Sequence, residues 1–328
     1  MDDAPGWSAI DAACARIYGD EKPQHWGTLL KWSLGGEDPL DGISAYTRTE
    51  PVPHWHYVSY GMSELYDKES EDADASGWGF EFTFRLVRLA DQIEAPIWPA
   101  NLMQNLARYV IQTGNWFAPG HHIDANGPIA ADSADSLIRT LAFIQDPELG
   151  EIDTPNGAVL FLQLVGLTPD EYEAAAEWHT QALLALFEPR MPLSVTDIDR
   201  TSLLTPELLE QVRAGVERDG SNSGELMVDV AEWDLSEGVT LRFGTKPAER
   251  IGRTLRGRLP FGYGLLVASA EQAVGFLPAD QFSAEQSQDG ILTVSIPEAA
   301  LDEVVAALRP VAGRTPVASL PGVTIEIV

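Results

Sequence analysis

Histidines are the residues of this 328-residue chain best suited to ligate a metal, and four of the six lie in two close pairs. His54 and His56 are two residues apart, so a β-strand would direct both to one face. His121 and His122 follow in a glycine- and proline-rich loop with Asp124. Such groups ligate zinc, so a metal-dependent hydrolase is one hypothesis. The pairs are far apart and lack an HExxH motif or a cysteine pair, which favours ordinary hydrogen-bonded histidines.

No residue pattern indicates a nucleophile or a cofactor site. Cys14 is the single cysteine, so it cannot form an internal disulfide. Trp7, Ile10, Cys14 and Ile17 recur at helical spacing, which predicts an amphipathic helix over residues 8–18 with an inert thiol on its buried face. GxSxG, Walker-type and GxGxxG motifs do not occur. We therefore expect no catalytic residues and no cofactor.

An aromatic alternation indicates a strand over residues 78–86. Trp78, Phe80, Phe82, Phe84 and Leu86 occupy every second position, which predicts a half-buried strand with an aromatic inner face. The intervening residues Glu81, Thr83 and Arg85 are then expected on a solvated or salt-bridged outer face.

The basic cluster of the chain consists of four arginines within nine residues, Arg250, Arg253, Arg256 and Arg258. In a chain of net charge −29, it could dock against the acidic first domain or receive an acidic segment of a partner. We favour the interdomain role.

The remaining elements predict an α+β fold, because strands and helices do not alternate strictly. Each domain is expected to contain a mixed or antiparallel sheet with packed helices. The turn-rich segment 219–224 predicts a short hinge between domain 1–219 and domain 220–328. A capping box at Thr168 predicts a helix that continues to about Phe187. Further predicted helices are 99–113 and 297–308, and further predicted strands are 54–60, 157–167, 226–233, 239–243, 264–268 and 291–296.

The charge balance limits the classes of partner. The chain has 50 acids against 21 bases, which disfavours nucleic acids and anionic membranes because both require a basic face. A basic protein or peptide is the better match. The start Met1-Asp2-Asp3 lacks the positive charge of a signal peptide, and the apolar run Gly157–Leu167 is too short to span a bilayer. We therefore expect a cytoplasmic protein.

Several segments, in one order along the chain, together resemble the Suppressor of fused family. The resemblance is strongest over residues 30–190, and the sequence looks like a compact bacterial member without the long disordered insertion of the animal proteins. The matching segments are DPLD (38–41), PHWHYVSYGMSELY (53–66), GWGFEFTFRL (77–86), WPA (98–100), LARYV (106–110), TPNG (154–157), DGSN (219–222) and LRGRL (255–259).

The resemblance implies a non-enzymatic protein-binding module. Animal members sequester Gli transcription factors in the cytoplasm and hold a short peptide as an added strand in a cleft between two domains, a mode in which main-chain hydrogen bonds supply affinity. The family's peptide-contacting tyrosine falls on Tyr109, which could equally be a core residue of its helix. The resemblance places an acidic residue of the family at the position of His121 and a second acidic residue near Gln145. It places an apolar contact of the family near Arg250. This altered pattern implies a different ligand, and we include Arg256 of the basic cluster among the expected contacts.

Three functions remain open at this point. The first is a cytosolic binding module. Bacterial relatives resemble immunity proteins against polymorphic toxins, and an acidic inhibitor would associate quickly with a basic toxin. The second is the metal-dependent hydrolase, which requires His54, His56, His121 and His122 to converge. The third is a scaffold without a dedicated ligand.

Overall fold

The computed structural model describes residues 4–30, 32–236, 238–287 and 290–328. The chain divides into two compact units. The first comprises Met1–Ala175 and Thr180–Thr205, and the second comprises Ala176–His179 and Pro206–Val328. The fold is α+β, as the sequence predicts.

A mixed eight-stranded sheet forms the centre of the first unit, in the order β1-β2-β3-β4-β8-β6-β5, with β7 paired beside β6 on β8. The strands β4 and β8 are parallel and the other neighbours are antiparallel. The strands are β1 (Gln24–Gly27), β2 (Gly42–Arg48), β3 (His54–Tyr60), β4 (Ala75–Val87), β5 (His122–Asp124), β6 (Thr140–Gln145), β7 (Glu151–Thr154) and β8 (Gly157–Leu167).

Helices cover both faces of this sheet. Helix α1 (Pro5–Tyr18) buries Ile10 and Cys14 against Tyr60 and Phe161 on one face. Helix α2 (Trp98–Thr113) covers the other face, where its Met103, Leu106 and Val110 pack with the aromatic row of β4. Both helices and the strand β8 agree with the sequence analysis. Burial on both faces explains why β3 and β8 are apolar or aromatic at most positions.

The helix predicted from Thr168 to about Phe187 is two helices, α3 (Pro169–Glu177) and α4 (Thr180–Phe187). The break falls at Trp178, which belongs to the second unit. Trp178 packs so closely on Gly215 that a Cβ atom there would lie 2.2 Å from the indole. A tertiary contact therefore interrupts a segment whose local sequence favours one continuous helix.

The second unit contains two sheets around one apolar core. Their orders are β14-β15-β13-β12-β9 and β10-β11-β17-β16. The strands are β9 (Glu225–Met227), β10 (Ala231–Asp234), β11 (Val239–Phe243), β12 (Leu265–Ala268), β13 (Ala273–Ala279), β14 (Ser283–Gln286), β15 (Ile291–Pro297), β16 (Gly313–Pro316) and β17 (Val323–Ile327), and the helices are α5 (Pro206–Asp219), α6 (Thr245–Arg256) and α7 (Glu298–Ala307).

Two expectations for this unit need correction. The single strand predicted over 226–233 is two strands, β9 and β10, in different sheets. The arginine cluster lies mostly on an unpredicted helix, α6, which buries Ile251 and Leu255. Its charge and its proline at position 247 obscured the helical spacing of these apolar residues.

The segment 219–224 is not a free hinge, because hydrogen bonds attach it to the second unit. Ser221 N donates to Gly257 O at 2.6 Å, and Ser223 Oγ donates to Ala176 O at 2.5 Å. Arg258 Nη1 also donates to Ser221 O. Apart from Ala176–His179, which belongs to the second unit, the compact units divide between Thr205 and Pro206. The boundary predicted from the sequence lies after residue 219.

Among the described residues, no helix combines the length and the apolarity needed to cross a membrane.

Candidate partner-binding edge of the first unit

Strand β5 forms one edge of the eight-stranded sheet and pairs only with β6 among the described strands. His121 O accepts a hydrogen bond from Phe143 N, and Ala125 N donates to Arg139 O. Antiparallel strands direct the backbone groups of alternate residues to opposite sides. His122 and Asp124 therefore point their N–H and C=O groups away from β6, where the described residues provide no backbone partner. We call this row the β5 edge.

Tyr109 lies at the end of an aromatic stack that leads to β6, the neighbour of β5. Its ring stacks on Phe117 with centroids 5.7 Å apart, and Phe117 stacks on Phe143 of β6 at 4.1 Å. The phenolic oxygen of Tyr109 accepts a hydrogen bond from the exposed Asn115 at 3.3 Å. Tyr109 is half-buried, so its ring belongs to the core and its hydroxyl is available at the surface.

The loop before β5 presents Trp116 and His121 to solvent. Trp116 is 59% exposed, and its ring lies 6.2 Å from that of His121. Ala118 N donates to Nδ1 of His121 at 3.3 Å, which orients the exposed imidazole. Trp116 is the most exposed tryptophan among the described residues, and tryptophan is enriched among the residues that dominate binding interfaces. Trp116 was not predicted from the sequence, because an exposed tryptophan in a loop has no periodic pattern.

Gln145 ends β6 and is exposed. It lies two residues beyond Phe143, which is opposite His121, so the structure brings Tyr109, His121 and Gln145 to one region of the first unit. The backbone of Gln145 has the same orientation as that of Phe143, so its N–H and C=O face the side of β6 on which β5 lies.

A buried charge cluster surrounds Asp146, the residue that follows the end of β6. Asp146, directly after Gln145, accepts hydrogen bonds from both terminal nitrogens of Arg85, at 2.6 and 3.0 Å. Thr83 Oγ1 donates to the same carboxylate at 2.8 Å, and Glu148 N donates at 2.9 Å. Burial opposes ionisation of Asp146, but His56 and Arg85 hold its pKa well below the usual range.

His56 completes this cluster in its neutral form. Its Nε2 lies 3.0 Å from Asp146 Oδ2 and its Nδ1 lies 2.6 Å from the Tyr18 hydroxyl. Burial, followed by the charge of Arg85, lowers the pKa of His56. Neutral His56 therefore donates from Nε2 and accepts the Tyr18 proton at Nδ1.

The polar face of β4 corrects a prediction. Glu81, Thr83 and Arg85 were expected on a solvated or salt-bridged outer face. All three are fully buried, although Arg85 does form salt bridges, with Asp146 and Glu148. Glu81 accepts hydrogen bonds from Ser59, Ser63 and the backbone of Gly61. The reason is that α1 and the loops around it cover this face, so polar alternation here marks buried networks and not solvent.

The four histidines do not form one site. His56 is engaged by Asp146 and Tyr18, and His122 Nδ1 lies 3.3 Å from Thr180 Oγ1. Three strands separate β3 from β5 in the sheet, which places these histidines roughly 19 Å apart at the usual strand spacing. Within the described ranges, no group of three or more histidine, cysteine or acidic residues could hold a metal. The convergence that the hydrolase hypothesis requires does not occur.

The arginine cluster is paired largely inside the second unit. Arg253 contacts Glu177 at 2.8 Å and Glu249 at 3.1 Å, and Arg256 contacts Asp302 at 3.1 Å. Arg258 donates to two backbone carbonyls of its own unit. Three of the four arginines thus have local partners, and the interdomain role stays a prediction. Arg250 is half-buried on α6, with no ion pair among the described residues.

Comparison with known proteins identifies the family of this fold. The family described as "Suppressor of fused protein (SUFU)" matches residues 36–201. The chain belongs to the Suppressor of fused family.

Particular relatives extend this comparison. The human and mouse Suppressor of fused homologs are each 37% identical over 284 residues, which cover 76% of this chain and 58% of theirs. The crystal structure of Drosophila Suppressor of Fused matches with a TM-score of 0.80 and 24% identity, covering 100% of this chain and 99% of that one. A chain of the Sufu-Fu complex crystal structure matches with a TM-score of 0.61 and 36% identity, covering 66% of this chain and 99% of that one. The curated relatives are longer proteins, of which this chain spans 58%.

Proposed function

We propose that this chain is a non-enzymatic binding protein that holds an extended segment of a protein partner along the β5 edge. The observation that best supports this proposal is the row of outward-facing backbone groups on β5, near the exposed Trp116. Strand addition uses such groups for affinity and neighbouring side chains for specificity. A relative of this chain was solved as the Sufu-Fu complex, which supports a protein ligand in this family.

The proposed contacts in the first unit are Tyr109, His121 and Gln145. Their side chains end in a hydroxyl, an imidazole and a carboxamide, respectively. This edge can therefore donate hydrogen bonds to an acidic or carbonyl group of the segment. Arg250 and Arg256 are the proposed contacts in the second unit, and a position for the segment between the two units stays a prediction. Arg250 is the better candidate, because Arg256 already pairs with Asp302.

The proposed partner is basic overall. A chain with net charge −29 would attract a cationic protein and accelerate its association. A cytoplasmic immunity protein that neutralises a basic toxin fits this property. An inhibitor of this kind needs no cofactor and no catalytic group.

The test is a pull-down in which the full chain captures its partner from a lysate of the organism that makes it. Variants of the chain separate backbone contacts from side-chain contacts. Asp124→Pro removes an outward N–H, whereas Asp124→Ala removes the same carboxylate and keeps that N–H. Trp116→Ala removes the exposed indole, and Trp78→Ala is its control because Trp78 is another exposed tryptophan, at 38%. We expect Asp124→Pro and Trp116→Ala to weaken capture about tenfold or more, and the two controls to change it less than about twofold.

The salt dependence of capture is the second measurement in this experiment. A basic partner should elute as ionic strength rises, because screening weakens exposed electrostatic attraction. Equal capture by Asp124→Pro and Asp124→Ala would refute strand addition at β5. Capture that does not respond to salt would refute the basic partner while leaving the edge as the site.

A further inference from the structure

The opposite edge of the same sheet is formed by strand β1. Strand β1 pairs only with β2 among the described strands. Thr28 N donates to Asp41 O at 3.0 Å, so by strand alternation Gly27 directs its N–H and C=O away from β2. The carboxamide of Gln24 exchanges two hydrogen bonds with the backbone of Ala95, which covers the start of β1. The open part of this edge is therefore its Gly27 end.

A cavity of about 590 Å³ lies beside the Gly27 end. Trp26 and Ile43 of the sheet line it, together with Ala100 near the start of α2. Ligand pockets in proteins usually measure about 300–1,000 Å³. The cavity is large enough for a bulky side chain of a segment that pairs with Gly27.

Apolar side chains at the mouth of the cavity are exposed. Leu29 is fully exposed, Leu30 is 51% exposed and Ile97 is 48% exposed. Clustered exposed apolar residues beside a groove are typical of interaction surfaces. Glu37 also lines the cavity and has no ion pair among the described residues, whereas the neighbouring Asp38 pairs with Arg108.

We propose that the β1 edge and this cavity form a second binding site for an extended segment of a partner, with a bulky apolar residue next to lysine or arginine. The backbone of Gly27 pairs with the backbone of the partner segment, and the cavity receives its apolar side chain. Glu37 attracts its lysine or arginine. A second copy of this chain fits poorly, because two chains of net charge −29 repel each other. This site is additional to the β5 edge and independent of it.

The probe is a random twelve-residue peptide library, selected on the full chain and counter-selected on Leu30→Glu. We expect enriched peptides that contain a large apolar residue flanked by lysine or arginine. Titration of the strongest peptide by calorimetry should show a loss of tenfold or more for Leu30→Glu and for Gly27→Pro. Circular dichroism and thermal melting establish that each variant is folded.

Two control variants make the result specific. Leu277→Glu changes a leucine of similar exposure, 45%, in the second unit. Glu188→Lys changes the total charge as Glu37→Lys does, at an exposed site away from the cavity lining. We expect Glu37→Lys to weaken binding at least threefold more than Glu188→Lys, and Leu277→Glu to have no effect.

Four results would overturn the proposal: no enrichment, enriched peptides without basic residues, equal losses with the control variants, or self-association that Leu30→Glu abolishes. None of these depends on the β5 edge, because Trp116→Ala should leave peptide binding at β1 unchanged.

Discussion

The two units contain similar ion pairs in opposite surroundings. In the first unit, Arg85 and Asp146 form an ion pair with both side chains fully buried. In the second unit, the side chains of Arg256 and Asp302 are 55% and 91% exposed. The first unit thus carries charge inside its core, while the second unit has an apolar core with charges at its surface. An arginine–aspartate pair is therefore a buried feature of the first unit and a surface feature of the second.

The difference follows from the cost of removing charges from water. A buried pair gains net stability only when hydrogen bonds satisfy every remaining group. The Arg85 cluster approaches this condition with Asp146, Glu148 and Gln163 as acceptors, although Nε of Arg85 has no hydrogen-bond partner. An exposed pair keeps its water and contributes little. The cluster therefore positions the turn after Gln145, whereas the surface pair contributes little to stability.

The largest expected effect is that of Asp146→Ala, which leaves Arg85 charged and unpaired in the core. Breaking a buried pair in this way costs about 3–5 kcal/mol. Guanidinium unfolding of the full chain, followed by tryptophan fluorescence, measures the loss. A loss below about 1 kcal/mol would mean that the two units do not differ in the way described.

Ile251→Ala tests the apolar core of the second unit. Ile251 is fully buried on α6, and truncation of such a residue costs about 3 kcal/mol. The same unfolding experiment should show destabilisation of the second unit, with the first transition unchanged if the units unfold separately. A change confined to the first unit would contradict this assignment of the core.

His54 gives the first unit a pH dependence. Burial lowers the pKa of His54 to about 4, below its ordinary value of 6.5, with Nδ1 bonded to Val52 O and Nε2 unpartnered. The unfolded chain takes up a proton below pH 6.5 and the folded chain does not, so stability falls as pH drops from about 6.5 towards 4. The His54 contribution to this loss is about 2 kcal/mol between pH 7 and pH 5.

Urea unfolding at these two pH values measures the effect. His54→Asn keeps a donor for Val52 O and removes the titrating ring, so its pH dependence should be smaller than that of the original chain. Equal pH slopes for the original chain and His54→Asn would contradict the assignment.

The smallest expected effect is that of Asp302→Ala, the exposed counterpart of Asp146→Ala. Its pair with Arg256 is worth less than about 1 kcal/mol, and added salt should reduce even that. Unfolding at low and high ionic strength provides the comparison. A loss as large as that of Asp146→Ala would remove the contrast between the two units.

Local patterns predicted much of the first unit and less of the second. Helical spacing identified α1, and the aromatic alternation identified β4, because each pattern repeats over enough residues to be recognised. The candidate edge was predicted only in part, through Tyr109, His121 and Gln145, and these contacts remain predictions. Trp116 was not predicted, because exposure in a loop has no periodic signature.

The amino-acid sequence by itself determined the α+β class, the family, the acidic character and the residues of the central strands, since these depend on composition, periodicity and ordered segments. Only the tertiary structure decided that the polar face of β4 is buried, that Trp178 interrupts a helix and that the segment after residue 219 is attached to the second unit. Each of these depends on what packs against the segment from distant parts of the chain. A polar residue has the same local pattern beside water and beside a buried Arg85, and only its tertiary neighbours distinguish the two.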